Sequence, residues 1–228
     1  MKKYDIFLFD ADNTLYDFDK GQIHALKTVF ANHGLAYSDD ILATYERISI
    51  PLWTSYEKGE LSAAELQTLR FDRLFNEIGV RHDSREFNAE YLHELGKCSF
   101  LIDGASEICR KIVSCGKQIF IITNGFAKTH EARIGNSPIE RYVSGLFVSE
   151  TVGYSKPDKR YFEHVFSHIP SMNKERVLVV GDSLSTDIAG GNVAGVDTCW
   201  FNLREIENRT SITPTYEIHK LCGVEQLV

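Results

Sequence analysis

Short apolar runs at residues 5–9, 118–122, 146–148 and 177–180 are rich in β-branched and aromatic residues, and a weaker one lies at 198–201. Each is bounded by turn or cap residues and followed by a stretch with helical spacing, which is how buried parallel strands joined by crossover helices read. A chain patterned in this way is expected to form an α/β doubly wound parallel sheet. More than a hundred residues separate the first run from the second. They have helical periodicity, with Ile23, Leu26, Val29 and Phe30 in one stretch and Leu66, Leu69, Leu74 and Phe75 in another. That is too much chain for one crossover. The pattern predicts a core from residues 1–16 and 99–228 and a helical insertion over 17–98, with the chain re-entering the core near Ile102-Asp103-Gly104.

The balance of charge narrows the partners. With 32 Asp and Glu against 25 Lys and Arg, the net charge is -7, and no basic field is available to hold a nucleic-acid polymer. A small phosphorylated metabolite remains compatible, because one pocket can be positive on a negative surface. Cys98, Cys109, Cys115, Cys199 and Cys222 form an odd set without a CxxC pair, so neither a disulfide framework nor a zinc site is expected, and a reducing, cytoplasmic setting is. Asp5, Asp10 and Asp12 interrupt the first apolar stretch before a signal-peptide core could be complete, and no later stretch suits a membrane span. Oligomeric state has no sequence signal.

The chemistry-bearing residues cluster where the strands end. The first run closes in Phe9-Asp10-Ala11-Asp12-Asn13-Thr14-Leu15. Ligands of an open parallel sheet bind beyond the carboxyl ends of its strands, so Asp10 and Asp12 fall where a site is expected. One could act as nucleophile and the other as acid, although a lone DxD is more readily read as a helix cap. The second run ends Thr123-Asn124-Gly125, offering a hydroxyl, an amide and backbone N–H groups to an anion. Next comes Gly153-Tyr154-Ser155-Lys156-Pro157-Asp158, where Pro157 restricts the backbone that presents Lys156. The fourth run ends Gly181-Asp182-Ser183-Leu184-Ser185-Thr186-Asp187, whose carboxylates are hard oxygen ligands suited to Mg²⁺.

Together these segments resemble the four signature motifs of the haloacid-dehalogenase superfamily: DxDxT at Asp10 to Thr14, Thr123, Lys156, and GDxxxxD at Gly181 to Asp187. The resemblance implies a Rossmann-like core with a helical, C1-type cap inserted after the first motif. It implies that Asp10 attacks phosphorus, and that Asp12 protonates the leaving alcohol and then activates water. Thr123 and Lys156 would hold the phosphoryl oxygens, with Asn124 and Gly125 also at the substrate. Mg²⁺ would be ligated by Asp10, the backbone carbonyl of Asp12 and Asp182, with Asp187 a direct or more distant partner. The physical logic is parallel: a phosphate dianion repels a carboxylate nucleophile unless positive charge sits between them.

Further segments, among them Pro51-Leu52-Trp53, Tyr56-Glu57-Lys58-Gly59, Ser149-Glu150-Thr151-Val152-Gly153 and Thr198-Cys199-Trp200-Phe201-Asn202, resemble YjjG-type pyrimidine 5′-nucleotidases. That implies dephosphorylation of nucleoside monophosphates. Trp53 and Tyr56 could stack on a base and Arg47 could meet its polar edge, while Trp53 could equally be cap core. Leu69, Phe71 and Phe75 are expected to pack. The histidines, including His24, His33 and His130, show no metal-ligand spacing and are assigned no role. A haloacid dehalogenase would not need the Asp at 12. A cap-bearing sugar-phosphate phosphatase or a phosphoglucomutase-like phosphotransferase would keep it, whereas a binding module would be expected to lack a motif residue.

Overall fold

The computed structural model describes residues 3–228. It divides into two compact units, one formed by residues up to Phe18 together with Ser99–Val228 and the other by Asp19–Cys98. The second unit thus begins two residues beyond the position 17 expected from the sequence.

The first strand, β1, spans Ile6–Asp10 and is buried throughout. The helical unit follows, with α1 (Phe18–Asn32), α2 (Asp39–Glu57), α3 (Ala63–Glu77) and α4 (Ser84–Lys97). Side-chain caps start three of these helices. Ser38 accepts from Ile41 N–H, Asp83 accepts from the N–H groups of Arg85 and Glu86, and Ser62 forms a reciprocal capping box with Glu65. Apolar residues at helical spacing face inward: Leu26, Val29 and Phe30 on α1, Tyr45, Ile48 and Leu52 on α2, and Leu66, Phe71, Leu74 and Phe75 on α3. Phe71 is the hub, with ring centroids 5.3 Å from Tyr45, 4.9 Å from Phe87 and 5.4 Å from Tyr91. Full burial of such a ring stabilises by about 1.5–3 kcal/mol. Phe71 and Phe75 therefore pack as expected, and Leu69 is half-buried.

The core resumes with α5 (Ala105–Ser114), β2 (Gln118–Thr123), α6 (Ala127–Gly135), β3 (Gly145–Val148), α7 (Ser149–Val152), α8 (Lys159–Ser167), β4 (Val177–Gly181), α9 (Ala189–Ala194), β5 (Asp197–Phe201) and β6 (Tyr216–Ile218). Six strands form one sheet in the order β3-β2-β1-β4-β5-β6, and every pairing is parallel. The pleat sorts the β1 side chains in two directions. Phe7 and Phe9 join Ile119, Ile121, Leu178 and Val180 against Ile108 and Ile112 of α5. Ile6 and Leu8 join Phe120, Ile122 and Val179 against Phe162 and Val165 of α8. Burial on both faces explains why these strands read as unbroken apolar runs.

The strand order reverses between β1 and β4, the position where open α/β sheets bind ligands. Asp10 is the last residue of β1, Thr123 the last of β2, and Asp182 immediately follows β4. No helix among the described residues is long and apolar enough to cross a membrane. All five cysteines are free thiols.

Candidate active site

The loop after β1 turns back at once. Leu15 and Tyr16 N–H groups donate to the carbonyl of Ala11 at 3.0 and 2.9 Å, and Asn13 takes a left-handed φ of 57°, which asparagine tolerates better than most residues. The turn places Thr14 under the neighbouring strand end, where its Oγ1 accepts the Asp182 N–H at 3.1 Å. From the other side the Trp200 indole Nε1 donates to the Asp182 carbonyl at 2.8 Å. Asp182 is thereby held through both of its backbone groups.

Lys156 lies at the centre of the site and is 1% exposed. Its Nζ donates to Asp10 Oδ1 at 2.6 Å, Asp187 Oδ1 at 2.7 Å and the Ile122 carbonyl at 3.0 Å, which occupies all three ammonium protons. Asn124 fixes the backbone behind it, accepting the Lys156 N–H at 2.8 Å and donating to the Lys156 carbonyl at 2.9 Å. The amide expected to face substrate is thus a brace for Lys156. The peptide between Lys156 and Pro157 is cis. Asp187 arrives on a π-helical turn, Leu184–Ile188, a wide geometry that recurs at functional positions. Its Oδ2 accepts the Ser183 N–H at 3.1 Å, and a β-carbon at position 181 would overlap its carboxylate, which is why Gly181 precedes Asp182.

Asp10, Asp182 and Asp187 each offer a carboxylate oxygen, all within 4.8 Å of one another. Burial first, and then the neighbouring carboxylates against the opposing pull of Lys156, raise Asp10 well above the usual carboxylate range. Burial and Asp187 push Asp182 up to about 7. Burial works against the Lys156 charge, but Asp10 and Asp187 outweigh it and hold the ammonium above the ordinary lysine value. Three carboxylates against one ammonium leave surplus negative charge at a set of hard oxygen donors. That arrangement fits a divalent cation such as Mg²⁺.

Asp12 takes another direction. Its Oδ1 accepts a hydrogen bond from the Arg133 guanidinium, and its Oδ2 lies 3.6 Å from His130 Nε2. Burial would raise its carboxyl, yet Arg133 and then His130 reverse that and leave it below the usual value. Its carboxylate is not in the acidic group, whereas the sequence resemblance had implicated only its backbone carbonyl in metal ligation. Thr123 is fixed at both ends of the residue. Its N–H donates to Tyr161 Oη at 3.1 Å, Tyr161 donates in turn to the Phe147 carbonyl at 2.9 Å, and Thr123 Oγ1 accepts the Gly125 N–H at 3.2 Å.

The structure therefore brings Asp10, Thr123, Asn124, Gly125, Lys156, Asp182 and Asp187 together and leaves Asp12 gripped by Arg133. Trp53 belongs to the helical unit, half-buried on α2 with its ring edge-on to Tyr56 at 5.7 Å. Arg47, expected at a base edge, is ion-paired with Glu77 at the surface of the helical unit. His130, Arg133 and Tyr161 are contacts that sequence reasoning did not assign. His130 and Arg133 share one buried face of α6 and Tyr161 lies on α8, and no pattern in the sequence links the three.

This acidic group around a buried lysine, at the switch point of a parallel sheet, occurs in a chain whose residues 4–195 match the haloacid dehalogenase-like hydrolase family, and the chain belongs to that family. It is 37% identical over 221 residues to YfnB of Bacillus subtilis (strain 168), named as a HAD-hydrolase, covering 97% of this chain and 94% of that one. A crystal structure of YfnB bound to magnesium, described as revealing interdomain movement, superposes with a TM-score of 0.92 at 36% identity, over 99% of this chain and 98% of the other. The pyrimidine 5′-nucleotidase PynA of Streptococcus pneumoniae (strain ATCC BAA-255 / R6) is 33% identical, covering 95% of this chain and 91% of PynA. The pyrimidine 5′-nucleotidase YjjG of Escherichia coli (strain K12) is 31% identical, covering 99% and 98%.

Proposed function

We propose that this hydrolase is a Mg²⁺-dependent phosphomonoesterase of nucleoside 5′-monophosphates that works through an aspartyl phosphate on Asp10. The observation that supports it most is the 2.6 Å contact from Lys156 Nζ to Asp10 Oδ1 within the acidic group of Asp182 and Asp187. Asp10 is oriented by that contact, and its negative charge is partly offset where a phosphate dianion would approach. Mg²⁺, held by Asp10, Asp182, the Asp12 carbonyl and directly or indirectly by Asp187, would supply the remaining positive charge when bound.

An Asp10 oxygen attacks phosphorus while the ester P–O bond breaks, and Asp12 gives the departing oxygen its proton. Asp12, now a carboxylate, takes a proton from water as that water attacks phosphorus. The bond to Asp10 breaks, phosphate leaves, and Asp12 is again protonated for the next substrate. Arg133 and His130 favour the carboxylate form of Asp12, the form required for activating water. The Thr123 hydroxyl donates to a phosphoryl oxygen. Lys156 does so by exchanging one of its present partners. Trp53 and Tyr56 of the helical unit offer aromatic faces to a base, a role supported only by the whole-chain similarity to proteins named pyrimidine 5′-nucleotidases.

Phosphate release from a panel of nucleoside monophosphates and sugar phosphates with Mg²⁺ tests this reading. Pyrimidine monophosphates should give the highest kcat/KM. Phosphate release from none of them, with halide release from 2-haloacids instead, would place the chain among the dehalogenases of its superfamily.

A further inference from the structure

We propose that His130 is a positioning residue for Thr123, donating from Nε2 to the threonine hydroxyl oxygen so that the hydroxyl proton is directed at a phosphoryl oxygen. The proposal rests on the reading of Thr123 as a phosphoryl contact. His130 sits on the inward face of α6 and is 2% exposed. Its Nε2 is 3.2 Å from Thr123 Oγ1 and 3.6 Å from Asp12 Oδ2. Space for the ring exists because residue 125 is glycine, since a β-carbon there would overlap the imidazole.

The direction of donation follows from the partners. Nδ1 of His130 is buried and has no hydrogen-bond partner among the described residues. A proton on Nδ1 would be an orphaned buried donor, and it would leave the Nε2 lone pair facing the Asp12 carboxylate. The proton therefore belongs on Nε2, which gives Thr123 Oγ1 an N–H to accept. The same oxygen already accepts from Gly125 N–H at 3.2 Å. A hydroxyl oxygen has two lone pairs, and these donors fill both. Its own proton then has to be donated outward, beyond the carboxyl end of β2. Tyr161, at 3.1 Å from the Thr123 N–H, and the β2–β3 pairing hold the Thr123 main chain, so the hydroxyl is presented from a fixed backbone. His130 in this way converts a freely rotating hydroxyl into a fixed donor before substrate arrives, which is the form of preorganisation that lowers a phosphoryl-transfer barrier.

The test is a double-mutant cycle on p-nitrophenyl phosphate hydrolysis with Mg²⁺, using Thr123→Val, His130→Leu, the double variant and His130→Gln. Glutamine places an N–H near the Nε2 position, whereas leucine supplies volume without a donor. Thr123→Val and His130→Leu should each lower kcat by about a hundredfold with little change in KM. The double variant should fall well short of the product of the two single losses, no more than about tenfold below the slower single one, because both changes remove the same directed hydrogen bond and only the Asp12 contact is lost in addition. His130→Gln should recover most of the lost kcat, and it decides the matter alone if His130→Leu fails to fold. Losses that multiply in the double variant, or a folded His130→Gln with no more activity than His130→Leu, would overturn the proposal while leaving Thr123 in its role. Full turnover by Thr123→Val would remove the role of Thr123 itself, and the proposal with it.

Discussion

Asn124 grips Lys156 by both backbone groups, accepting its N–H at 2.8 Å and donating to its carbonyl at 2.9 Å, while the Lys156 ammonium reaches Asp10 Oδ1 at 2.6 Å. A turn residue at the end of one strand thus fixes the cation that orients a carboxylate at the end of the next. Pre-set geometry of this kind is what a carboxylate nucleophile needs against a dianion.

Removing the cation should be severe. Lys156→Met leaves Asp10 and Asp187 without the buried cation they share, and kcat/KM should fall at least about a thousandfold, equivalent to ~4 kcal/mol of barrier. Lys156→Arg should not restore it, because a planar fork cannot aim donors at Asp10, Asp187 and the Ile122 carbonyl at once. Steady-state kinetics on both variants, with melting temperatures alongside, checks this.

Metal binding should be visible without turnover. Adding Mg²⁺ to EDTA-stripped protein should raise the melting temperature, because the ion binds only the folded acidic group. Asp182→Asn should abolish most of that rise. Hydrolysis should stop on chelation, return with Mg²⁺ and not return with Ca²⁺, which favours more ligands at longer distances.

A pH-dependent contribution to stability is expected far from the chemistry. Asp5 precedes β1 and is paired with Arg176 at 2.7 Å and Lys117 at 2.5 Å, and hydrogen bonds first from Arg176 and then from Lys117 hold its carboxyl far below the ordinary value of 3.8. A depressed carboxyl stabilises the fold fully above its unfolded value and loses that contribution as pH falls from there through its lowered folded-state value. The side chain is 47% exposed, so solvent screening keeps the effect small. Asp5→Asn should cost under about 1 kcal/mol at neutral pH and less at about pH 2.5, measured by urea unfolding at both.

Base recognition predicts a selective loss. Trp53→Ala should lower kcat/KM for pyrimidine monophosphates at least about tenfold, or ~1.4 kcal/mol, within the range for stacking a base on an aromatic ring. Para-nitrophenyl phosphate should suffer clearly less. An equal loss on both, with a large drop in melting temperature, would make Trp53 a packing residue of the helical unit.

The strand ends were legible because a parallel sheet buried on both faces leaves unbroken apolar runs, and each run stops abruptly at its chemistry: Asp10, Thr123 and Asp182. The sixth strand was not. Tyr216–Ile218 is three residues long, with half-buried Tyr216 and Ile218 separated by exposed Glu217, so it has no run to detect. His130 and Arg133 were hidden for another reason. They lie three residues apart on one buried face of α6, and sequence alone cannot tell such a pair from solvated polar residues. The bracing use of Asn124 was equally invisible, since Thr-Asn-Gly is an ordinary turn and only the fold brings Lys156 to it.

Transfer of the phosphoryl group to Asp10 is checked with acid-quenched enzyme incubated with a nucleoside monophosphate radiolabelled in its phosphate. A covalent label should form that is stable to acid, released by hydroxylamine, mapped to the peptide containing Asp10 and absent from Asp10→Asn, which should also be inactive while folding normally. Rapid phosphate release with no label in the wild type, together with full activity in Asp10→Asn, would contradict it.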